Sequence, residues 1–269
     1  MLTKILYPVD LSPFSQSGLS WVANHVLEDS SELIAVHVVD PTIAGMDTPR
    51  YVRDAEISLD TLCQTMVPDN IRFRVISRAG DKKDVIPDIA LAEKCTFAIL
   101  PVREDEDVIP LVRKMAIPQL LLRTSDGHMP EEDVLGKIAI AVDLSRERTE
   151  KLTETMKTII EGVRVVPEIT LIHGVPLEGA QGSQVLVNKA EEALSTIEEG
   201  IKRWNENTLS ELISGQPEEE LPERINEIAP SLLVVGLATH GELWQLILGS
   251  TAMALIEKTA CPVLIIPTP

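Results

Sequence analysis

Lys4-Ile-Leu-Tyr-Pro-Val-Asp-Leu-Ser12 opens the chain, and Lys137-Ile-Ala-Ile-Ala-Val-Asp-Leu-Ser145 repeats it 133 residues later. Four further matches follow in the same order: Leu33–His37 with Ile169–His173, Gly80-Asp81 with Gly215-Gln216, Phe97–Leu100 with Leu232–Val235, and Pro118–Leu122 with Pro262–Ile266. Their offsets are 136, 135, 135 and 144. Five ordered matches mark an internal duplication. The jump from 135 to 144 means that the first copy is shorter by about 9 residues between its fourth and fifth blocks.

Each copy alternates short β-branched runs with amphipathic stretches. Strands are expected at 4–9, 33–39, 72–77, 97–101 and 119–123, and again at 137–142, 169–174, 232–236 and 262–266, with a weakly marked one near 206–214. Helices are expected over 14–28, 52–66, 84–94, 147–161, 184–204, 218–229 and 251–258. Strand and helix in alternation predict an α/β fold with a parallel sheet. Residues 124–136 carry turn formers and acids without periodicity, so they read as a linker. The expected domains are therefore 1–124 and 136–269.

The chain has 269 residues with 24 Lys+Arg and 42 Asp+Glu, a net charge of -18. Residues 1–133 hold 13 and 22, and the remainder 11 and 20, so each half carries -9. This acidity argues against nucleic acid and against anionic membrane as partners. Aromatics at 3% leave no base-stacking platform, and the core must be Leu, Ile, Val and Ala. Cys63, Cys95 and Cys261 are odd in number and in no C-x-x-C, which points to a reducing, cytoplasmic setting. The N-terminal segment meets Pro8 and Asp10 too early for a signal peptide, and no apolar run is long enough for a membrane span.

In open α/β sheets ligands bind beyond the carboxyl ends of the strands. That directs attention to Asp10 and Asp143, to the residues after His37 and His173, and to the loops after 101 and 236. The last block of the second copy is the richest. A strand ending at Gly236 lets backbone approach a ligand, and Gly249-Ser250-Thr251 opens a helix whose unpaired amides and hydroxyls suit an anion such as phosphate.

At this point the chain resembles the universal stress protein family. The resemblance rests on Lys4–Ser12, His37-Val-Val-Asp40, Gly215-Gln-Pro217, Gly236…Gly249-Ser250 and the closing Cys261-Pro-Val-Leu-Ile-Ile-Pro267, and spans both copies. It implies two tandem five-stranded α/β sandwich domains of adenine nucleotide alpha-hydrolase-like type, forming a pseudo-dimer. In nucleotide-binding members ATP is held by an Asp after strand one, by backbone after the strand-two His, and by a Gly-x2-Gly-x9-Gly-Ser/Thr loop. Carried over, the resemblance gives Asp143, Gly174, Gly236, Thr239, Gly249, Ser250 and Thr251 as ATP-binding residues, with Mg as a companion ion. Two departures stand out. Thr239 occupies the second glycine's place, and Ala141 replaces a proline. Residues 236–251 contain no Lys or Arg, so charge compensation falls to amides, His240 or a metal, and a one-residue shift onto Gly241 is conceivable. In the first copy Arg103-Glu-Asp-Glu-Asp107 stands where the loop belongs. Close like charges cost about 1–4 kcal/mol per pair, so ATP is not expected there. The resemblance further implies antiparallel pairing of 119–123 with 262–266 inside one chain, and allows a homodimer.

Bland readings stand beside these. Asp10 and Asp143 precede helices and also suit capping. His37 and His173 read as structural, His240 as a phosphate contact or an exposed loop residue, and Gly249-Ser250 as a phosphate site or a plain helix start. Cys95 and Cys261 read as small core residues, and Glu218-Glu-Glu220 as a solvated face. No metal-ligand spacing, Walker A loop or Gly-x-Ser-x-Gly is present. No catalytic residue is assigned, and hydrolysis is expected to be slow or absent. The alternative to a nucleotide-binding stress-response module is a protein-interaction module, both sites degenerate, whose acidic surface recruits an unidentified basic partner. An adenylate-forming enzyme is disfavoured, since neither Ser-Gly-Gly-x-Asp-Ser nor His-x-Gly-His occurs.

Overall fold

The computed structural model describes residues 2–103, 106–123, 129, 134–161, 167–176, 180–240 and 245–269, without the side chains of 180–183, 240 and 245. Two compact units account for the chain, the first running to Met129 and the second holding nearly everything after it.

The first unit runs β1 (Lys4–Pro8), α1 (Pro13–His25), β2 (Glu32–Val39), α2 (Pro41–Ala44), α3 (Thr48–Met66), β3 (Arg72–Ala79), α4 (Lys82–Ala92), β4 (Phe97–Pro101), α5 (Ile109–Arg113) and β5 (Gln119–Leu122). The strands lie in the order β3-β2-β1-β4-β5, all parallel. Local chemistry sets the helix starts. Ser12 caps α1 by accepting from Ser15 N, with Pro13 just inside, and Asp81 caps α4 by accepting from Lys83 N. The central strands are buried on both faces, and Ile5, Leu6, Leu33, Ile34 and Ile99 are fully buried, as a parallel sheet covered by helices requires.

The second unit repeats the plan with β6 (Lys137–Ala141), α6 (Arg146–Glu161), β7 (Glu168–Pro176), α7 (Ala180–Lys202), β8 (Thr208–Gly215), α8 (Pro217–Ile228), β9 (Leu232–His240), β10 (Gln245–Ile247), α9 (Ser250–Lys258) and β11 (Val263–Thr268). The order β8-β7-β6-β9-β11 matches that of the first unit, again parallel, and β10 pairs with β9. In each unit the chain leaves the first strand on one side and returns on the other, which opens a crevice beyond β1 and β4 and beyond β6 and β9.

The strands and helices fall where expected, the weakly marked strand included, with differences at β9 and in short helices. The strand anticipated at 232–236 continues to His240, because Leu237 and Ala238 keep register with Pro267 and Thr268 of β11. This extension, β10 and the longer α9 take up the residues by which the second copy exceeds the first. The weakly marked strand near 206–214 is β8, an edge strand with a half-exposed pattern. The five-residue α5 was not anticipated. Most of the 124–136 linker lies outside the described residues.

The repeat extends to unusual backbone. Leu11 and Leu144 both adopt φ near +60° (62° and 61°), a conformation that costs a non-glycine residue roughly 1–2 kcal/mol. Asp10 Oδ1 accepts from Ser12 N at 3.0 Å and Asp143 Oδ1 from Ser145 N at 2.9 Å. Each aspartate thus locks the turn that precedes the helix, while the cap of α1 itself is Ser12. His37 Nδ1 lies 2.7 Å from the carbonyl of Val9 and His173 Nδ1 2.7 Å from that of Val142. A carbonyl only accepts, so each neutral ring carries its hydrogen on Nδ1.

Candidate functional site

Beyond β6 and β9 the second unit contains a cavity of about 610 Å³, a size typical of small-molecule sites. Six of the seven residues singled out from the sequence line it: Asp143, Gly174, Gly236, Gly249, Ser250 and Thr251. Thr239 does not. It lies in β9, and its hydroxyl donates to the Thr268 carbonyl at 3.3 Å. The place expected of a second loop glycine is therefore part of the sheet. Gly241 and Glu242, and the side chain of His240, lie outside the described residues.

The six come from four elements. Asp143 follows β6, and its Oδ2 lies 2.6 Å from Arg148 Nε in the first turn of α6. That N–H is not aligned for a hydrogen bond, so the contact is an ion pair. Gly174 lies within β7 opposite Ile213, and a Cβ there would stand 2.9 Å from both Leu221 Cδ1 and Pro217 Cβ. Its glycine lets α8 pack onto the strand. Gly236 lies in β9 opposite Ile266. Gly249 is the N-cap of α9 and supplies no side-chain cap, which leaves the first-turn amides of α9 without that partner.

Two charged lining residues were not anticipated as site residues. Arg148 brings a cation that the 236–251 stretch lacks. Spacing could have found it, since 148, 149 and 152 share one face of α6 and all line the cavity. Glu218 is the second. In sequence it reads with Glu219 and Glu220 as a solvated face, yet its Oε1 accepts from Ser250 Oγ at 2.6 Å and lies 3.5 Å from Thr251 Oγ1. These bonds, the Ser250 one foremost, hold its carboxyl below the ordinary carboxylate range. The rest of the lining is mainly apolar, including Leu152, Ile172, Leu221, Val235 and Leu255.

The equivalent place in the first unit is a cavity of about 80 Å³. Phe14 lines it, Arg103 Nη2 pairs with Asp10 Oδ2 at 2.5 Å, and Lys82 pairs with Glu106. Repulsion among uncompensated carboxylates, anticipated for 103–107, gives way among the described residues to paired charges in a filled crevice. Residues 104 and 105 lie outside the described set. Among the described residues no cluster of three His, Cys, Asp or Glu is placed to hold a metal, and no helix is long and apolar enough to cross a membrane. Cys63 and Cys95 are buried, while Cys261 is half-exposed and not the core residue anticipated.

Two tandem α/β units with this shared order of strands, one with an open crevice and one with a filled one, define the class. The universal stress protein family model matches residues 1–105 and 135–267, and the chain belongs to the universal stress protein family, as a tandem member. A universal stress protein of Methanocaldococcus jannaschii is 28% identical over 106 residues, 39% of this chain; the match spans 62% of that relative's length. A universal stress protein structure from Archaeoglobus fulgidus superposes with a TM-score of 0.67 at 19% identity, covering 98% of this chain and 96% of that one. A Pseudomonas aeruginosa structure described as a universal stress protein gives 0.63 at 16% identity, covering 99% and 94%. Both likenesses concern the fold.

Proposed function

We propose that this tandem universal stress protein is a cytoplasmic stress-response module that binds an adenine nucleotide in its second copy only, residues 136–269, while the first copy, 1–124, is degenerate. The observation that carries this reading is the contrast between the cavity of about 610 Å³ and the one of about 80 Å³ at equivalent places. In it, Asp143 and the β7 and β9 backbone around Gly174 and Gly236 hold the nucleoside. Arg148 and the Gly249-Ser250-Thr251 turn face the phosphate end of the ligand. Thr239, engaged with Thr268, takes no part. Asp143 is paired with Arg148, Glu218 is bonded to Ser250 and His173 Nδ1 is engaged by the Val142 carbonyl, which leaves none of them set up as a general base, so hydrolysis is slow or absent.

Calorimetric titration with ATP and magnesium, and with AMP, tests this. Micromolar binding of either nucleotide that is lost in Gly249→Asp and weakened in Asp143→Ala supports it. No heat up to millimolar ligand, together with no adenine absorbance in freshly purified protein, sinks it. A second reading, a protein-interaction module without nucleotide, draws support from Glu218 already occupying the α9 hydroxyls. The two family segments in one chain support pairing of the copies within the chain. That part fails if the separately expressed halves fold and show no affinity for each other.

A further inference from the structure

Glu218 stands between two helix starts. It belongs to the first turn of α8, and its carboxylate accepts from Ser250 in the first turn of α9. Both helix dipoles favour a negative charge at such a place. The backbone of the same residue is tied down as well, because Lys258 Nζ donates to its carbonyl at 3.0 Å. An anion supplied by the chain itself therefore occupies the hydroxyls that a ligand anion would use.

Charge counting along the cavity sharpens the consequence. Among the described lining residues Asp143 and Glu218 are the acids, and Arg148, already paired with Asp143, is the one Lys or Arg. His173 lines it too, with Nδ1 engaged by the Val142 carbonyl. The described lining is thus net negative, and the rest of it is largely aliphatic. Such a cavity accepts an uncharged ring system with few charges. A chain of phosphates directed at α9 would meet the Glu218 carboxylate, and like charges at contact distance repel.

We propose that Glu218 is the specificity-determining residue of this cavity: it admits adenine ligands that end at the ribose or the first phosphate and rejects those that carry a polyphosphate. The proposal rests on the adenine-nucleotide reading above and names the ligand class within it.

The test is calorimetric titration of the full chain with adenosine, AMP, ADP and ATP, with and without magnesium, for the wild type, Glu218→Gln and Glu218→Asp. Gln keeps an acceptor for Ser250 and removes the charge; Asp keeps the charge. The expected result is that the wild type binds AMP more tightly than ATP. Glu218→Gln then raises ATP affinity about tenfold or more while adenosine stays within about twofold, and Glu218→Asp still rejects ATP. An unchanged ATP-to-adenosine ratio in Glu218→Gln overturns the proposal and leaves the nucleotide reading standing. Weaker ATP binding by Glu218→Gln in magnesium also overturns it, because the carboxylate would then be holding the ion on the phosphates. Absence of binding by every ligand to every protein overturns both.

Discussion

Arg148 Nε lies 2.6 Å from Asp143 Oδ2, and this pair forms one wall of the open cavity in the second unit. The first unit keeps the aspartate but recruits its cation elsewhere, from Arg103 beyond β4. Ser15 stands at the repeat position of Arg148. The same acid thus serves a cavity wall in one copy and a closing contact in the other. Both members of the Arg148–Asp143 pair are about half-exposed (41% and 49%), so the pair contributes little to stability, under about 1 kcal/mol. Arg148→Ala should leave urea unfolding nearly unchanged and weaken AMP binding by about tenfold. A large stability loss, or AMP affinity at the wild-type level, would count against this role.

Gly80 follows β3 and Gly215 ends β8, with φ of 149° and 152°, where a side chain is strained. The two substitutions to alanine should nevertheless differ. At Gly80 a Cβ would stand 2.6 Å from Cγ2 of the buried Val85, whereas at Gly215 it would stand 2.7 Å from Cγ of Glu220, an exposed and flexible chain. Urea titration should show Gly80→Ala costing about 2–3 kcal/mol and Gly215→Ala about 1–2 kcal/mol. Equal costs would mean that conformational strain alone sets the effect.

How far the sequence reached is clearest at β9. The run Leu232–Val235 marks the strand, and Gly236 predicts its end because glycine ordinarily punctuates. Its continuation depends on pairing with Pro267 and Thr268 thirty residues away, which no local pattern records. The duplication, the α/β order and the central strands were legible because buried parallel strands read as continuous β-branched runs. Asp143, Gly236 and the Gly249–Thr251 turn were legible from the resemblance, and the cavity gathers them. Arg148 is not legible in the loop after β9 because this cavity wall comes from the helix α6. Glu218 escaped because three successive glutamates look alike in sequence, whereas only the first faces Ser250.

Asp10 offers a pH signature. Burial raises its pKa, but hydrogen bonds from Ser12 and Ser15 and the charge of Arg103 outweigh that and hold it below its ordinary 3.8. A carboxylate whose folded pKa is depressed stabilises above its unfolded value, and the contribution is lost as pH falls through the folded one. Wild type should therefore exceed Asp10→Asn in stability at neutral pH, by about 1 kcal/mol or less given its exposure. The gap should close as pH drops below 3.8. A gap that widens in acid would reverse the sign.

The cysteines should separate by reactivity. Burial pushes the Cys63 thiol up to about 12, with Asp60 adding to it, and pushes Cys95 up to about 11 against the opposing effect of Lys4. Cys261 is half-exposed. Iodoacetamide at about pH 8 should label Cys261 first, read by peptide mass spectrometry, because the thiolate is the nucleophile. Comparable labelling of Cys63 in the folded protein would contradict the packing described.

The central claim is one adenine-ligand site per chain, in the second unit. Gly249 makes its test clean. It is the N-cap of α9 at φ -76°, with nothing within 4 Å of an added Cβ, and aspartate is a favoured N-cap. Gly249→Asp should fold with a melting temperature within about 2 °C of wild type while placing a further carboxylate at the phosphate end. Calorimetric titration with AMP should give one site per chain in the wild type and none in Gly249→Asp. Two sites per chain, undiminished binding by Gly249→Asp, or no binding by the wild type at millimolar AMP would contradict the account.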